Sequence, residues 1–220
     1  MHRSVRAALI ALTTLLGASI LCVPAARAQA NAAKVDRMTD LVVELMPIGA
    51  IFEDLAKADP QWPLPGNQKS MTSGQHSCLR GELSQAGYRR MKRVDVAEYA
   101  AANPSRLDAD IRVLEGGAAR LMNRLVLAGA EAERTGVPAD EQAILSAASI
   151  DQIGSFMSLM QSPDYAGLRR MAGLGNAFDA DKSKEENEAA GEDIGANLAT
   201  QAIFKAMSTC KIPASALFAD

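Results

Sequence analysis

The clearest hydrophobic pattern in the chain lies between residues 107 and 134. Apolar positions there recur at alternating spacings of four and three, as on one face of an α-helix. These positions are Leu107, Ile111, Leu114, Ala118, Leu121, Leu125, Ala128 and Ala132. The pattern predicts a central core helix that ends before Gly136 and Pro138. Gly116 and Gly117 in its middle predict either a bend or the close packing of a neighbouring helix.

Further helices are predicted on both sides of this segment. Upstream, residues 32–58 predict a helix that is interrupted near Pro47. Residues 75–102 predict either one helix or a pair of helices, because Gly81 and Gly87 disfavour a continuous helix. Downstream, the predicted helices cover residues 140–147, 150–161, 163–172 and 184–209.

Several of these helices carry start signals. A hydroxyl stands three residues before an acidic or amide side chain, as in a capping box, at Ser105–Asp108, Ser149–Gln152 and Ser183–Glu186. Ser162–Pro163 adds a start with proline at the first helical position.

Signals for β-strands are scarce, because aromatic residues make up 4% of the chain and runs of β-branched residues are absent. Residues 59–74 predict an irregular, proline-rich loop, and residues 175–183 an acidic linker before the last helix. We therefore expect an all-α fold, a single-domain irregular bundle of about six or seven helices over residues 29–220.

The first 28 residues predict a signal peptide. Arg3 and Arg6 precede a short apolar run, and Ala26–Ala28 fits the small-residue pattern at which such leaders are cleaved. The leader carries three of the 23 basic residues and none of the 26 acidic ones, so the mature chain has a net charge of −6. This predicts a soluble periplasmic protein with no stable membrane insertion, and it argues against nucleic acid as a partner.

Two cysteines, Cys78 and Cys210, remain after the leader is removed. In an oxidising compartment an even pair predicts a disulfide. Closing that loop would stabilise the fold by roughly 5 kcal/mol in the chain-entropy model, as an upper value. The alternative is two free thiols, one of which serves as a nucleophile.

Neither a metal ion nor a cofactor is predicted. His76 is the only histidine of the mature chain, which excludes multi-histidine zinc sites, and its polar surroundings predict a solvated loop position. Asp179–Ser183 resembles the start of a calcium-binding loop. The sixth position of such a loop would be glycine but is Lys184 in this chain, and the twelfth would be glutamate but is Ala190.

Paired carboxylates are the one catalytic chemistry that the composition permits, and they would suit an envelope hydrolase. The available side chains are Glu82, Asp95, Glu98, Asp108, Asp110 and Glu115. No spacing singles out a pair, and acidic residues on polar helix faces are expected in any case.

A basic cluster and a tryptophan are the candidate contacts to a partner. They are Trp62, Arg80, Arg89, Arg90, Lys92 and Arg93. The cations would suit an anionic partner, and Trp62 lies between prolines that lower the cost of ordering it at an interface. The alternatives are a solvated helix face for the cations and, for Trp62, a lid packed on the core.

Residues 156–169, with a helix, a Ser162–Pro163 break and a second helix, resemble a family of small exported bacterial proteins with a domain of unknown function. The similarity covers about residues 139–175. It implies helices and an envelope location, and it implies no reaction.

With no convergent catalytic set, we expect a non-enzymatic protein that binds a periplasmic protein partner. In its size and its lack of a catalytic motif, the chain is similar to immunity proteins that neutralise an envelope-attacking, secreted toxin. The alternatives are the carboxylate-based peptidoglycan hydrolase and a housekeeping structural helical protein.

Overall fold

The computed structural model describes residues 22–64, 71–175 and 182–217, and every regular element within them is helical. The elements in chain order are α1 (Cys22–Leu45), α2 (Ile48–Ala58), α3 (Ser73–Leu83), α4 (Gln85–Ala102), α5 (Leu107–Val113), a π-helical turn (Leu114–Ala118), α6 (Ala119–Thr135), α7 (Glu141–Ser146), α8 (Ile150–Gln161), a 3-10 helix (Pro163–Tyr165), α9 (Ala166–Ala172), α10 (Lys184–Thr209) and a 3-10 helix (Ala214–Leu217). The predicted all-α fold is confirmed.

Local sequence signals determine several helix boundaries. Capping boxes at Ser149–Gln152 and Ser183–Glu186 start α8 and α10 at the predicted residues. A third capping box, which the sequence analysis did not single out, joins Thr72 to Gln75 at the start of α3. Ser84 separates α3 from α4, and its hydroxyl accepts a hydrogen bond from the backbone N–H of Gly87.

The predicted capping box at Ser105–Asp108 is wrong. The backbone N–H of Arg106 donates to the carbonyl of Asn103 at 3.0 Å, so a turn occupies the residues before the helix. Helix α5 consequently begins at Leu107, and its N-cap residue Arg106 makes no side-chain cap. The start at Leu107 that the hydrophobic pattern indicates is present, and only the predicted side-chain cap is absent.

The long helix expected over residues 107–134 is divided at its glycine pair. Gly117 has a φ of 115°, a left-handed conformation that only glycine adopts without strain. Helix α8 also packs closely there. A Cβ on Gly116 would lie 2.4 Å from the Ser155 Oγ, and one on Gly117 would lie 2.4 Å from the Gln152 Cγ. Both predicted consequences, a bend and a close neighbour, therefore occur together.

Helix α1 shares the centre of the core with the α5–α6 segment. Met38, Leu41, Val42 and Leu45 form a fully enclosed stripe along α1. In the expected stripe of the 107–134 segment, Leu107, Leu114, Ala118 and Leu121 are buried, whereas Ile111 and the later positions Leu125, Ala128 and Ala132 are only half-buried. The second half of α6 thus extends beyond the core.

Parts of the predicted loop and linker lie outside the described residues. These are residues 65–70 and residues 176–181, which include Asp179 and Asp181 of the rejected calcium loop. The predicted break near Pro47 is present, since α1 ends at Leu45 and α2 begins at Ile48.

The predicted leader also lies largely outside the described residues, which begin at residue 22. Helix α1 starts at Cys22, and its buried stripe begins only at Met38. None of the helices within the described ranges combines the length and apolarity needed to cross a membrane.

The predicted disulfide between Cys78 and Cys210 is present, with 5.8 Å between the two Cα atoms. It joins α3 to the residue that ends α10. Beside it, the Gln75 side-chain amide donates to the Lys211 carbonyl at 2.9 Å. The end of α10 is therefore attached to the start of α3 by a covalent bond and a hydrogen bond.

Replacing both cysteines by serine, C78S/C210S, should lower the free energy of unfolding by about 2–5 kcal/mol, because the unfolded chain regains the freedom of a 132-residue loop. Urea unfolding of the wild type with and without reductant should show the same loss. Equal midpoints for oxidised and reduced protein would contradict this expectation.

Candidate functional site

Trp62 lies at the position of the predicted lid. Its ring packs on Phe52 with 5.2 Å between ring centroids, and it covers the edge of the core while remaining half-buried. The adjacent Leu64 is buried. The aromatic surface of Trp62 is therefore partly used in packing the loop onto α2.

Arg80 holds this loop from α3. Its guanidinium donates to the carbonyls of Ala56 at 2.7 Å and Pro60 at 2.9 Å, and more weakly to that of Trp62 at 3.4 Å. The last carbonyls of a helix lack intrahelical donors, and a cation there is also favoured by the helix dipole. Arg80 thus supplies the missing donors at the end of α2.

The predicted cations of α4 are paired with acids of the same chain. Arg89 contacts Asp40 at 2.6 Å, and Arg93 contacts Asp36 at 2.6 Å. Arg90 is paired with a third acid, Glu82, at 2.8 Å. These partners neutralise the arginine cluster that the sequence presents as a surplus of positive charge.

Lys92 differs from its neighbours because it is only 7% exposed. It therefore does not belong to a solvated surface patch, contrary to the grouping made from the sequence. It faces α10, and its ammonium lies 3.5 Å from the carboxylate of Asp95, one turn later on α4.

Most of the candidate catalytic carboxylates are also held by cations. The pairs are Glu82–Arg90, Asp95–Lys205, Asp108–Lys34 and Glu115–Arg37. Glu98 is exposed on α4. A hydrolytic pair needs two carboxyl groups free to act on a substrate, and each of these four is already engaged by a cation of the same chain.

Asp110 is the candidate carboxylate with the most unusual surroundings. It is fully enclosed, the Tyr99 hydroxyl donates to its Oδ2 at 2.7 Å, and Arg106 lies 3.8 Å from its Oδ1. Burial raises the pKa of Asp110, opposed by the Tyr99 hydrogen bond and the Arg106 charge. A raised pKa is typical of a general acid, but a carboxyl closed to solvent cannot meet a substrate.

His76 lies within the first turns of α3, contrary to the expected solvated loop position. Its Nε2 is buried without a hydrogen-bond partner among the described residues. Cys78, one potential nucleophile nearby, is in the disulfide. Within the described ranges, no three His, Cys, Asp or Glu side chains form a group able to hold a metal ion.

An apolar surface on α8, which the sequence analysis did not select, is the strongest candidate contact. Ile150 is 84% exposed, Ile153 37% and Met157 38%. Spacings of three and four place these side chains on one side of the helix. Leu159 on the opposite side is buried against the core, and Met160, one turn beyond Met157 at the end of the helix, is also buried. We call Ile150, Ile153 and Met157 the α8 face.

A signal for the α8 face was present in the sequence. Residues 150–161 contain one charged side chain, Asp151, although a helix at a protein surface normally shows a charged outer face. The outer side of α8 carries the apolar side chains of Ile150, Ile153 and Met157, which the core does not cover.

No family model, curated protein or solved structure matches the chain. The resemblance of residues 139–175 to a family of exported proteins therefore stays a prediction.

Replacing Arg80 by methionine should lower the free energy of unfolding by about 2 kcal/mol, because one carbonyl at the end of α2 and others in the following loop lose a charged donor. Arg90→Met, which removes one exposed ion pair, is the matched control and should cost less than about 1 kcal/mol. Intrinsic fluorescence of Trp62, the single tryptophan, follows both the unfolding and the loosening of the loop. Equal losses in the two variants would refute the distinct role of Arg80.

The raised pKa of Asp110 makes stability depend on pH. Because the folded state binds the Asp110 proton more tightly than the unfolded state, this group favours folding at low pH. That contribution is lost as the pH rises through the folded-state pKa. Asp110→Asn does not titrate and keeps an acceptor for Tyr99, so its stability relative to wild type should rise from pH 4 to pH 7. Urea unfolding across that range measures the difference, and a constant difference would argue against a buried, titrating Asp110.

Proposed function

We propose that the chain is an exported, non-catalytic protein that binds a partner protein through the α8 face. The observation that carries the proposal is the large exposure of Ile150 in line with Ile153 and Met157, on a helix already packed on its other side. Apolar side chains grouped in this way contribute to binding when a partner removes them from water.

The geometry of α8 supports a binding role for this face. Its inner side is fixed by close packing on Gly116 and Gly117, so the helix is held against the core before any partner arrives. A preorganised helix face loses little conformational entropy on binding. Gly154 adjoins the exposed stripe, and a Cβ there would meet no heavy atom within 4 Å, so a partner has room to approach.

The charge of the chain favours a basic partner. The mature chain is expected to carry a net charge of −6, while the α8 face itself is uncharged. Opposite net charge accelerates encounter over long range, and the apolar face then supplies short-range affinity. The partner class is accordingly a positively charged protein with an apolar surface strip.

The periplasm is the proposed location of this interaction. The leader-like first 28 residues and the Cys78–Cys210 disulfide both support an oxidising, exported environment. In its most concrete version, the partner is a secreted toxin that attacks the envelope, and this chain neutralises it as an immunity protein does.

The competing hydrolase hypothesis gains no specific support. Four of its six candidate carboxylates are engaged by cations, and Asp110 is enclosed. A contact surface accounts better for the exposed apolar side chains of α8.

Site-specific photo-crosslinking in living cells tests the proposal. A photoreactive amino acid replaces Ile150 in one variant and Val94 in the control. Val94 is 58% exposed but lies on α4, outside the α8 face. We expect the probe at position 150 to crosslink one basic periplasmic protein, identified by mass spectrometry, and the probe at position 94 not to do so.

Affinity for the identified partner is then measured with Ile150→Asp and the matched Val94→Asp. An aspartate in the first turn of α8 suits the helix dipole, so folding should be unaffected. We expect Ile150→Asp to weaken binding about tenfold or more, and Val94→Asp to have little effect. Equal crosslinking from both positions, or crosslinking only to a second copy of this chain, would refute the proposal. For a toxin partner, Ile150→Asp should also abolish protection in co-culture.

A further inference from the structure

A polar cluster lies where α4 faces α10, and it includes none of the residues of the α8 face. Tyr88 and Lys92 of α4 and Gln201 and Lys205 of α10 line an opening of ≈ 10 Å³. That volume is about the space needed by one water-sized species. We call these four residues the α4–α10 pocket.

Positive charge exceeds negative charge at this pocket. Lys205 donates to both carboxylate oxygens of Asp95, at 2.8 and 3.2 Å. Lys92, which is almost completely buried, lies 3.5 Å from one of the same oxygens. Two ammonium groups therefore share one carboxylate, and a buried charge with incomplete pairing is costly.

Tyr88 adds an unused hydrogen-bonding group. Its side chain is 1% exposed, and its hydroxyl has no hydrogen-bond partner among the described residues. A buried hydroxyl without a partner costs free energy, so native structures rarely leave one unexplained. Tyr88 lines the same opening as Lys92, and the Lys92 ammonium lies 5.8 Å from the centre of its ring.

We propose that the α4–α10 pocket binds one monoatomic halide anion, such as chloride, between the Lys92 and Lys205 ammonium groups and the Tyr88 hydroxyl. A halide can accept hydrogen bonds from ammonium and hydroxyl groups alike, and its charge would balance the unpaired positive charge. A water molecule would fill the space but leave that charge uncompensated. The ≈ 10 Å³ of space suits a monoatomic ion better than a polyatomic anion such as sulfate, phosphate or a carboxylate ligand.

The titration of Lys92 agrees with the need for an anion. Burial lowers the pKa of Lys92 below the usual value for lysine, against the opposing effect of Asp95. A bound anion would favour the charged ammonium and so offset the effect of burial.

Thermal unfolding in sodium chloride and in sodium gluconate at equal ionic strength tests the inference. Gluconate screens charges in the same way but is too large for the pocket. We expect the Tm to rise with chloride concentration by mass action, and sodium bromide to act like chloride. Crystals soaked in bromide should show one anomalous peak between Lys92 and Tyr88.

Variants connect this response to the pocket. Lys92→Met should abolish the difference between chloride and gluconate, whereas Lys57→Met, which removes an exposed lysine paired with Asp54, should retain it. Tyr88→Phe should reduce the chloride response at least twofold. It should not lower the Tm in gluconate, because the lost hydroxyl has no partner there.

Identical melting in chloride and gluconate would overturn the inference, as would a chloride response that persists in Lys92→Met. If Lys92→Met fails to fold, the bromide map of the wild type decides. An electron-density peak without anomalous signal would identify a bound water and exclude the halide.

Discussion

The burial of one stripe of α1 is the interaction on which the rest of the fold depends. Met38, Leu41, Val42 and Leu45 lie on a single side of the helix and are almost completely removed from water. Burying side chains of this size contributes about 1.5–3 kcal/mol each. Helix α4 packs along one flank of α1, and the α5–α6 segment packs along the other, so the orientation of α1 determines the position of both.

Ion pairs on the two flanks of α1 specify how the helices align. Asp36 and Asp40 contact Arg93 and Arg89 in reverse order, which makes α4 antiparallel to α1. Lys34 and Arg37 contact Asp108 and Glu115 in the same order, which makes the α5–α6 segment run parallel to α1. Exposed pairs of this kind contribute little free energy each. Their arrangement nevertheless favours one register, because shifting α4 by one turn would leave one of the aspartates and one of the arginines without a partner.

The distance along the chain between interacting residues explains which features the sequence predicted. The helix starts at Ser149 and Ser183 depend on residues three positions apart, so the local pattern was sufficient to predict them. The arginines of α4 appeared unpaired because their acidic partners lie 49 and 57 positions earlier in the chain. Such pairing depends on tertiary packing, which a local pattern does not contain. The disulfide was predictable despite its long separation, because only two cysteines follow the predicted leader.

Helix α10 contacts the core through the later part of its length. Its buried side chains begin at Leu198, and Ile194 one turn earlier also packs against the core, while most of the preceding residues are exposed. The disulfide of Cys210 holds the end of the helix against α3. The Lys205–Asp95 pair lies earlier along the helix and joins it to α4. Because these two attachments lie at different points along α10 and reach different helices, together they specify its direction more closely than either alone.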